Sequence, residues 1–434
     1  MKILFVTREL KMEPLGIVYL ASALKRAGHE IKLVRTDHGM TPRAAIVEYG
    51  PQIVAYSVCS GSEQAYMALD KELIRFAAVN KLPPFRSVFG GPAVTFTPEK
   101  FAGRHAIRGE GEEAMVAWVN GTVFKPLQLV PINQPTPRRE WLYADHEDLA
   151  QAPIKNIITS RGCPHRCGYC FNARWNDLHK GQAPWVRRRS VDSVVAEAQY
   201  LKANWPLKMV NFPDDNLADL AWLEELAEKW PATQLPFFCS VRPDDVTATH
   251  IALLAKAGCA IVNMAVESAV PETRRCVLNR FSKNAKVVET IQLCKRFGLR
   301  TRLQNIIGLP IADPLKDALT TLRFNADVQP TISWCSLLQA YRGTKIHDIA
   351  VAGGYIDADH DDTDQEFFNH STLRILDKTR IERLHKIWHL AVRYRTVRWL
   401  LPIILRLPLP WSWWRGIFAK TKRWITERDL WKVF

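Results

Sequence analysis

Ser160-Arg161-Gly162-Cys163-Pro164-His165-Arg166-Cys167-Gly168-Tyr169-Cys170-Phe171-Asn172 places three cysteines within eight residues. Soft thiolate ligands select iron–sulfur or zinc centres. Structural zinc usually draws on paired C-x-x-C units. Here C-x-x-x-C-x-x-C stands alone, and no nearby Cys or His has a spacing that would complete a zinc site. Three thiolates can hold three irons of a cubane cluster and leave the fourth open to a small molecule. The competing reading is buried or disulfide-forming cysteines. The remaining six, Cys59, Cys239, Cys259, Cys276, Cys294 and Cys335, are scattered singly, mostly in apolar runs, and read as core residues. Nine cysteines so distributed are no disulfide framework.

Outward from this loop, the flanking sequence alternates strand and helix. From Ile154 a βα series follows, with strands expected near Ile157–Thr159, Met209–Phe212, Phe237–Ser240, Ile261–Ala265, Thr301–Ile307 and Ser333–Leu338. Helices at Val191–Asn204, Leu220–Trp230 and Lys286–Phe297 separate them, which predicts a partial (β/α)6 barrel with the cysteine loop at its C-terminal mouth. The first 120 or so residues show the same rhythm, with strands at Ile3–Val6, Ile31–Val34, Ile53–Val58, Ser87–Phe89 and His105–Arg108. Their helices are expected at Gly16–Ala27, Pro42–Tyr49 and Gln64–Val79. This is the pattern of a Rossmann-like parallel sheet with ligand loops at the strand C-termini. The expected organisation is therefore α/β: residues 1–125 as the first domain, 126–153 as a proline-bearing linker, 154–345 as the barrel and 346–434 as a helical C-terminal region.

The 434 residues are 47% apolar and 24% charged, an ordinary globular composition with length for two or three domains. The net charge of +15 is uneven: from Arg383 onward twelve Lys/Arg face only Glu427 and Asp429. Seven of the fifteen tryptophans also lie there. Basic residues interleaved with aromatics suit nucleic acid or an anionic membrane surface. Trp388 and Trp399 are expected to pack on the barrel, whereas the cluster Trp411–Trp414 is harder to bury. The apolar run Leu400–Leu409 is broken by Pro402, Arg406 and Pro408, so it does not reach the roughly 20 residues a spanning helix needs. The short apolar run at the N-terminus reads as a buried strand rather than a secretory signal, and the expected location is cytoplasmic; the tail reads as a structural cap over the barrel, with peripheral membrane contact as the alternative. Arg187-Arg188-Arg189 reads as a solvated face.

The cysteine spacing, with its aromatic residue before the third cysteine, resembles the radical S-adenosylmethionine (SAM) enzymes. Further runs resemble the same family: Pro213-Asp214-Asp215-Asn216, Val266-Glu267-Ser268, Asn279-Arg280, Ile306-Ile307-Gly308-Leu309-Pro310 and Gln339-Ala340-Tyr341-Arg342-Gly343-Thr344. Pro14-Leu15-Gly16-Ile17-Val18-Tyr19-Leu20-Ala21, Ala27-Gly28-His29-Glu30, Phe89-Gly90-Gly91-Pro92 and Arg108-Gly109-Glu110-Gly111-Glu112 resemble the cobalamin-binding domain fused to many of those enzymes. The loop Thr7-Arg8-Glu9-Leu10-Lys11-Met12 lacks the D-x-H-x-x-G that supplies an axial histidine to cobalt, and the resemblance implies cobalamin bound without one.

The resemblance implies three cofactors: a [4Fe–4S] cluster on Cys163, Cys167 and Cys170, SAM, and cobalamin. It places Tyr169, Asp214, Asp215, Asn216, Glu267, Ser268, Arg280, Ile306 and Gly308 beside SAM, with Arg242 as another partner for the SAM carboxylate. It places Ser57, Ser60, Gly90, Gly91, Gly109, Glu110 and Gly111 beside cobalamin, although Ser57 and Ser60 also suit helix caps. No catalytic acid or base is singled out. The implied activity is methyl transfer to an unactivated carbon through a 5′-deoxyadenosyl radical, on a small-molecule or natural-product substrate, with flavodoxin or ferredoxin as electron donor. Ring closure or rearrangement on the same architecture is the alternative, and a non-catalytic cobalamin or iron–sulfur sensor the alternative of another class. Nucleic-acid modification is disfavoured, since no RNA-binding domain accompanies the barrel.

Overall fold

The computed structural model describes residues 1–8, 12–133, 135–182, 184–358 and 370–425. Glu9, Leu10 and Lys11 of the loop without a histidine, and Trp431, Glu427 and Asp429 of the tail, lie outside the described residues. Two compact units emerge: 1–156 with 174–189 and 196–207, and 157–173 with 190–195 and 208–434.

The first unit is built on four parallel strands, β1 (Lys2–Thr7), β2 (Glu30–Arg35), β3 (Ile53–Ser57) and β4 (Arg86–Gly90), in the order β2-β1-β3-β4. Side chains alternate across a strand, so β1 divides its apolar residues between two cores. Ile3 and Phe5 pack with Ile53, Ala55 and Val88 on one face. Leu4 and Val6 pack with Val54, Tyr56 and Phe89 on the other. Helices at Leu15–Arg26, Pro42–Tyr49 and Glu63–Val79 intervene as expected, and they explain why strands apolar on both faces are stable here.

Three expectations for this unit are corrected. The strand at His105–Arg108 shrinks to a single bridge between Phe89 and Ala106, because turns close both ends: Arg104 N donates to Phe101 O, and Gly109 turns the chain at φ +83°. The segment read as a linker carries short helices at Glu140–Tyr143 and Glu147–Ala150, and Leu142, Tyr143, Leu149 and Ala150 are core residues. Arg139 within it is 0% exposed, donating to Glu13 Oε1 and Glu197 Oε1 at 2.5 Å each. The arginine triplet is no solvated face: Arg189 is buried against Glu197 and Arg187 donates to Glu110 Oε2 at 2.8 Å.

The second sheet is six-stranded. The chain enters it through β5 (Ile154–Asn156), three residues before the expected strand. Then come β6 (Met209–Asn211), β7 (Phe237–Ser240), β8 (Cys259–Glu267), β9 (Arg300–Ile307) and β10 (Ile332–Leu337), parallel neighbours in chain order. A register shift falls between Ala265 and Glu267 on β8. Such a bulge re-aims a side chain where pairing ends.

Beyond the barrel, helices at Lys378–Arg393 and Trp411–Ile425 close one side. Trp388 and Trp414 lie in a core with Leu337, Leu384 and Leu405. Trp399, expected to pack, is 80% exposed. Of the singly scattered cysteines, Cys239, Cys259, Cys294 and Cys335 are buried, but Cys59 and Cys276 are exposed. Among the described residues no helix is long and apolar enough to cross a membrane.

Candidate active site

The cysteine loop is held at its middle. Gly168 N donates to Leu278 O at 2.8 Å, and Ile346 N donates to Gly168 O at 2.9 Å. Asn279 Nδ2 donates to Arg166 O at 2.6 Å. A Cβ on Gly168 would stand 3.1 Å from Val277 O, so glycine is what lets the loop sit this close. Asn279 of the N-R pair is thus an anchor of the loop.

Cys163, Cys167 and Cys170 line one cavity of about 270 Å³. Its wall is completed by Ser240 at the end of β7 and Arg242 beyond it, by Asn263 and Ala265 of β8 and Gln304 of β9, and by Asp214, Asp215, Asn216, Glu267 and Arg280. Arg242 Nη1 donates to Cys167 Sγ at 3.3 Å. Burial pushes the Cys163 thiol up to about 11 and the Cys170 thiol up to about 12. Such thiols become thiolates when a strongly positive centre binds them. Among the described residues no three His, Cys, Asp or Glu side chains converge on one point suitable for a single ion. A cubane, whose irons are separate ligation points, asks for cysteines spread around a cavity, which is what the loop offers.

Tyr169, half-buried within the cysteine loop, meets the buried Glu267 and Arg280. Tyr169 Oη donates to Glu267 Oε1 at 2.7 Å. Arg280 donates from Nη1 to the same hydroxyl at 3.3 Å and from Nη2 to Ala265 O at 2.7 Å. Glu267 sits at φ +63°, uncommon for a residue with a side chain. Burial raises its pKa, while the Arg280 charge and the Tyr169 hydrogen bond pull it back. Asp215 also has its pKa raised by burial, with an Asn172 hydrogen bond opposing.

The two neighbouring aspartates divide their work. Asp214 accepts from Thr159 N at 3.1 Å, Thr159 Oγ1 at 2.7 Å, Ser160 N at 2.5 Å and Ser160 Oγ at 2.9 Å. It fixes the start of the cysteine loop. Asn216 accepts from Arg242 N at 2.9 Å and donates to Asp245 Oδ2 at 2.6 Å, and Asp245 also bonds His165 Nε2 at 2.5 Å.

Not every expected SAM neighbour reaches the cavity. Ser268 is 0% exposed and donates to Asp317, at 2.9 Å for the nearer oxygen. Ile306 packs against the core under the C-terminal helices. Gly308 at φ +77° faces Ile375 Cδ1, 3.4 Å from where its Cβ would be. None of these three lines the cavity. Conversely, sequence reading assigned no role to His165, Asn172, Ser240, Asn263 or Gln304. Alternation along β8 puts Asn263 on the face of Ala265, and that signal was available.

In the first unit, Ser57 and Ser60 follow β3, and Gly90 and Gly91 end β4. Neither serine caps the following helix, whose cap position is Ser62. Neither hydroxyl has a bonding partner among the described residues, so both are open to a ligand. A Cβ on Gly90 would meet only Ile107 O, at 3.7 Å, leaving room for close approach. Gly91 and Gly111 have packing reasons: a Cβ would lie 2.8 Å from Val58 N and O, and 2.9 Å from Leu20 Cδ2, respectively. Gly109 N donates to Thr95 Oγ1 at 3.0 Å. Glu110 is spent on Val130 N and Arg187. Open hydroxyls and an unobstructed glycine at the strand ends fit a large polar-rimmed cofactor.

Known proteins bear on both units. Residues 157–322 match the radical SAM superfamily model, and residues 1–119 match the B12 binding domain model. An uncharacterized methyltransferase of Pyrococcus horikoshii is 24% identical over 383 residues, 79% of either chain. The anaerobic magnesium-protoporphyrin IX monomethyl ester cyclase of Synechocystis is 23% identical over 330 residues, 67% of this chain and 63% of that one. Among solved structures, the radical SAM methyltransferase TsrM from Kitasatospora setae, with cobalamin and a [4Fe–4S] cluster bound, superposes with a TM-score of 0.65 at 17% identity, covering 82% of this chain and 78% of that one. That likeness shows the shared fold. The two domain matches make the cluster and SAM the cofactors of the second unit and cobalamin that of the first. The chain thus carries a B12 binding domain followed by a radical SAM superfamily domain, the latter on the half-barrel.

Proposed function

We propose that the protein is a methyltransferase that alkylates an unactivated carbon of a small-molecule or natural-product substrate. The observation that carries this reading is one chain with both a B12 binding domain and a cavity where three cysteines face Asp215, Glu267 and Arg280. The methyltransferase similarity of the Pyrococcus protein adds to it. When bound, the cluster supplies the electron that cleaves SAM, and cobalamin carries the methyl group.

The protein's own residues bind and orient. Cys163, Cys167 and Cys170 hold the cluster. Asp215 offers its carboxylate to the SAM ammonium by a charge-assisted hydrogen bond. Glu267 accepts from vicinal ribose hydroxyls, with Tyr169 and Arg280 fixing its direction. Asp214 and Asn216 act through the loops they hold. Ser57, Ser60 and Gly90 meet cobalamin, and Gly91, Gly109, Glu110 and Gly111 shape the loops around it. Flavodoxin or ferredoxin is the electron donor in this reading.

A second reading, ring closure or rearrangement, is favoured by the cyclase similarity. Anaerobic incubation with cobalamin and SAM carrying a deuterated methyl group separates the two. Under methyl transfer, the extracted cobalamin gains the labelled methyl by mass. An unlabelled cobalamin alongside 5′-deoxyadenosine formation would favour the second reading and overturn the first.

A further inference from the structure

The C-terminal segment sorts its apolar residues by face. Leu401, Leu405 and Trp414 are buried in the core of the second unit. Trp399, Leu400, Ile403 and Leu407 are exposed, at 80%, 36%, 61% and 37%, and Trp413 is 63% exposed. Trp399 and Ile403 lie in the short helical turns Arg395–Trp399 and Leu401–Ile404, with Leu400 between them and Leu407 just beyond, so four exposed apolar residues fall within nine positions of the chain. Single exposed apolar residues are ordinary, but a run of five including two tryptophans is a surface that marks an interaction.

Charge identifies the partner. Between Arg383 and Ile425 there are ten Lys/Arg and no Asp or Glu. Arg395, Arg406, Arg415 and Lys420 are exposed alongside the apolar residues. An all-cationic surface attracts anions, and phosphate-rich nucleic acid would satisfy that much. It has no use for exposed aliphatic side chains such as Ile403 and Leu407, because its apolar contacts are made by stacking on rings. A bilayer uses both: tryptophans and aliphatics enter the headgroup and acyl boundary while arginines meet lipid phosphates.

We propose that this face docks the protein on anionic bilayers as a peripheral membrane surface. The test is flotation of the full chain with vesicles of phosphatidylcholine and phosphatidylglycerol, beside vesicles of phosphatidylcholine alone. Each basic residue at such a surface contributes about fivefold in partitioning. The variant Arg395→Gln, Arg406→Gln and Arg415→Gln should therefore lose about a hundredfold at low salt. Trp399→Gln with Trp413→Gln should weaken binding at all salt concentrations. All five side chains are exposed, and near-UV circular dichroism checks that the fold survives. The expected result is binding to anionic vesicles that both variants reduce. Absence of binding by the intact protein, binding indifferent to both variants, or tighter binding to a single-stranded RNA oligomer than to vesicles would overturn the proposal.

Discussion

Tyr169 Oη donates to Glu267 Oε1 at 2.7 Å, joining the cysteine loop to the end of β8 through one partly buried hydrogen bond. Burial and the Glu267 charge both raise the phenol's pKa, so the hydroxyl remains a donor throughout the working pH range. The carboxylate it meets is held at positive φ beside a register shift. Positions of that kind persist where surrounding contacts over-determine them, and here those contacts come from Tyr169 and Arg280.

Removing that donor gives the first prediction. Tyr169→Phe should leave iron and sulfide content unchanged and weaken SAM binding. A hydrogen bond to a charged group contributes about 1.5–3 kcal/mol, which is about tenfold to a hundredfold in affinity. Equilibrium dialysis with SAM measures this, and unaltered affinity would remove Tyr169 from the orientation of Glu267.

The adjacent aspartates should part company. Asp215→Asn should keep the fold and the cluster while lowering SAM affinity about tenfold or more. Asp214→Ala strips four hydrogen bonds from Thr159 and Ser160 and should cost about 3 kcal/mol or more of stability, since buried donors lose their acceptor. Thermal melting and dialysis on both variants check the division, and equal behaviour would contradict it.

Much of this architecture was legible in the sequence, and the reasons for the exceptions are local. Apolar runs such as Ile3–Val6 mark strands because they are buried on both faces. Ala106-Ile107 is equally apolar, but turns on either side leave room for one rung. Prolines around Arg139 hid a segment whose fixed point is an ion pair with Glu13 and Glu197, distant in sequence. Trp388 and Trp399 would share a face of one continuous helix. The chain turns extended at Tyr394, φ −113° and ψ 118°, and the following turn points Trp399 outward. Asp214 and Asp215 look alike in a sequence. Only the approach of Thr159 and Ser160 shows which one is committed.

Two neighbouring glycines separate packing from ligand approach. Gly91→Ala places a Cβ 2.8 Å from Val58 N and O at φ +99°, and should destabilise the first unit by at least about 2 kcal/mol. Gly90→Ala meets only Ile107 O at 3.7 Å, so it should melt near the parent temperature yet bind hydroxocobalamin more weakly. A Gly90→Ala protein with full corrinoid affinity would show that the ligand keeps its distance from that strand end.

His385 supplies a pH dependence. Burial first, and then the Lys386 charge, depress its pKa to about 3 from the usual 6.5. A base whose folded pKa is depressed contributes stability that is full above pH 6.5 and is lost as pH falls toward 3. At pH 5.5 the loss is about 1.4 kcal/mol for this one group. Urea midpoints at pH 7.5 and 5.5 should therefore differ more for the parent than for His385→Gln. Identical differences would mean that the native ring takes up its proton as readily as the unfolded one.

The most direct test concerns the three cysteines. Parent protein and Cys163→Ala/Cys167→Ala/Cys170→Ala are reconstituted anaerobically with iron and sulfide, reduced, and incubated with SAM, and 5′-deoxyadenosine is quantified by mass spectrometry. The account predicts about four irons per chain and 5′-deoxyadenosine from the parent, with neither from the triple variant. A triple variant that retains its iron and still cleaves SAM, or a parent that takes up no cluster, would contradict it.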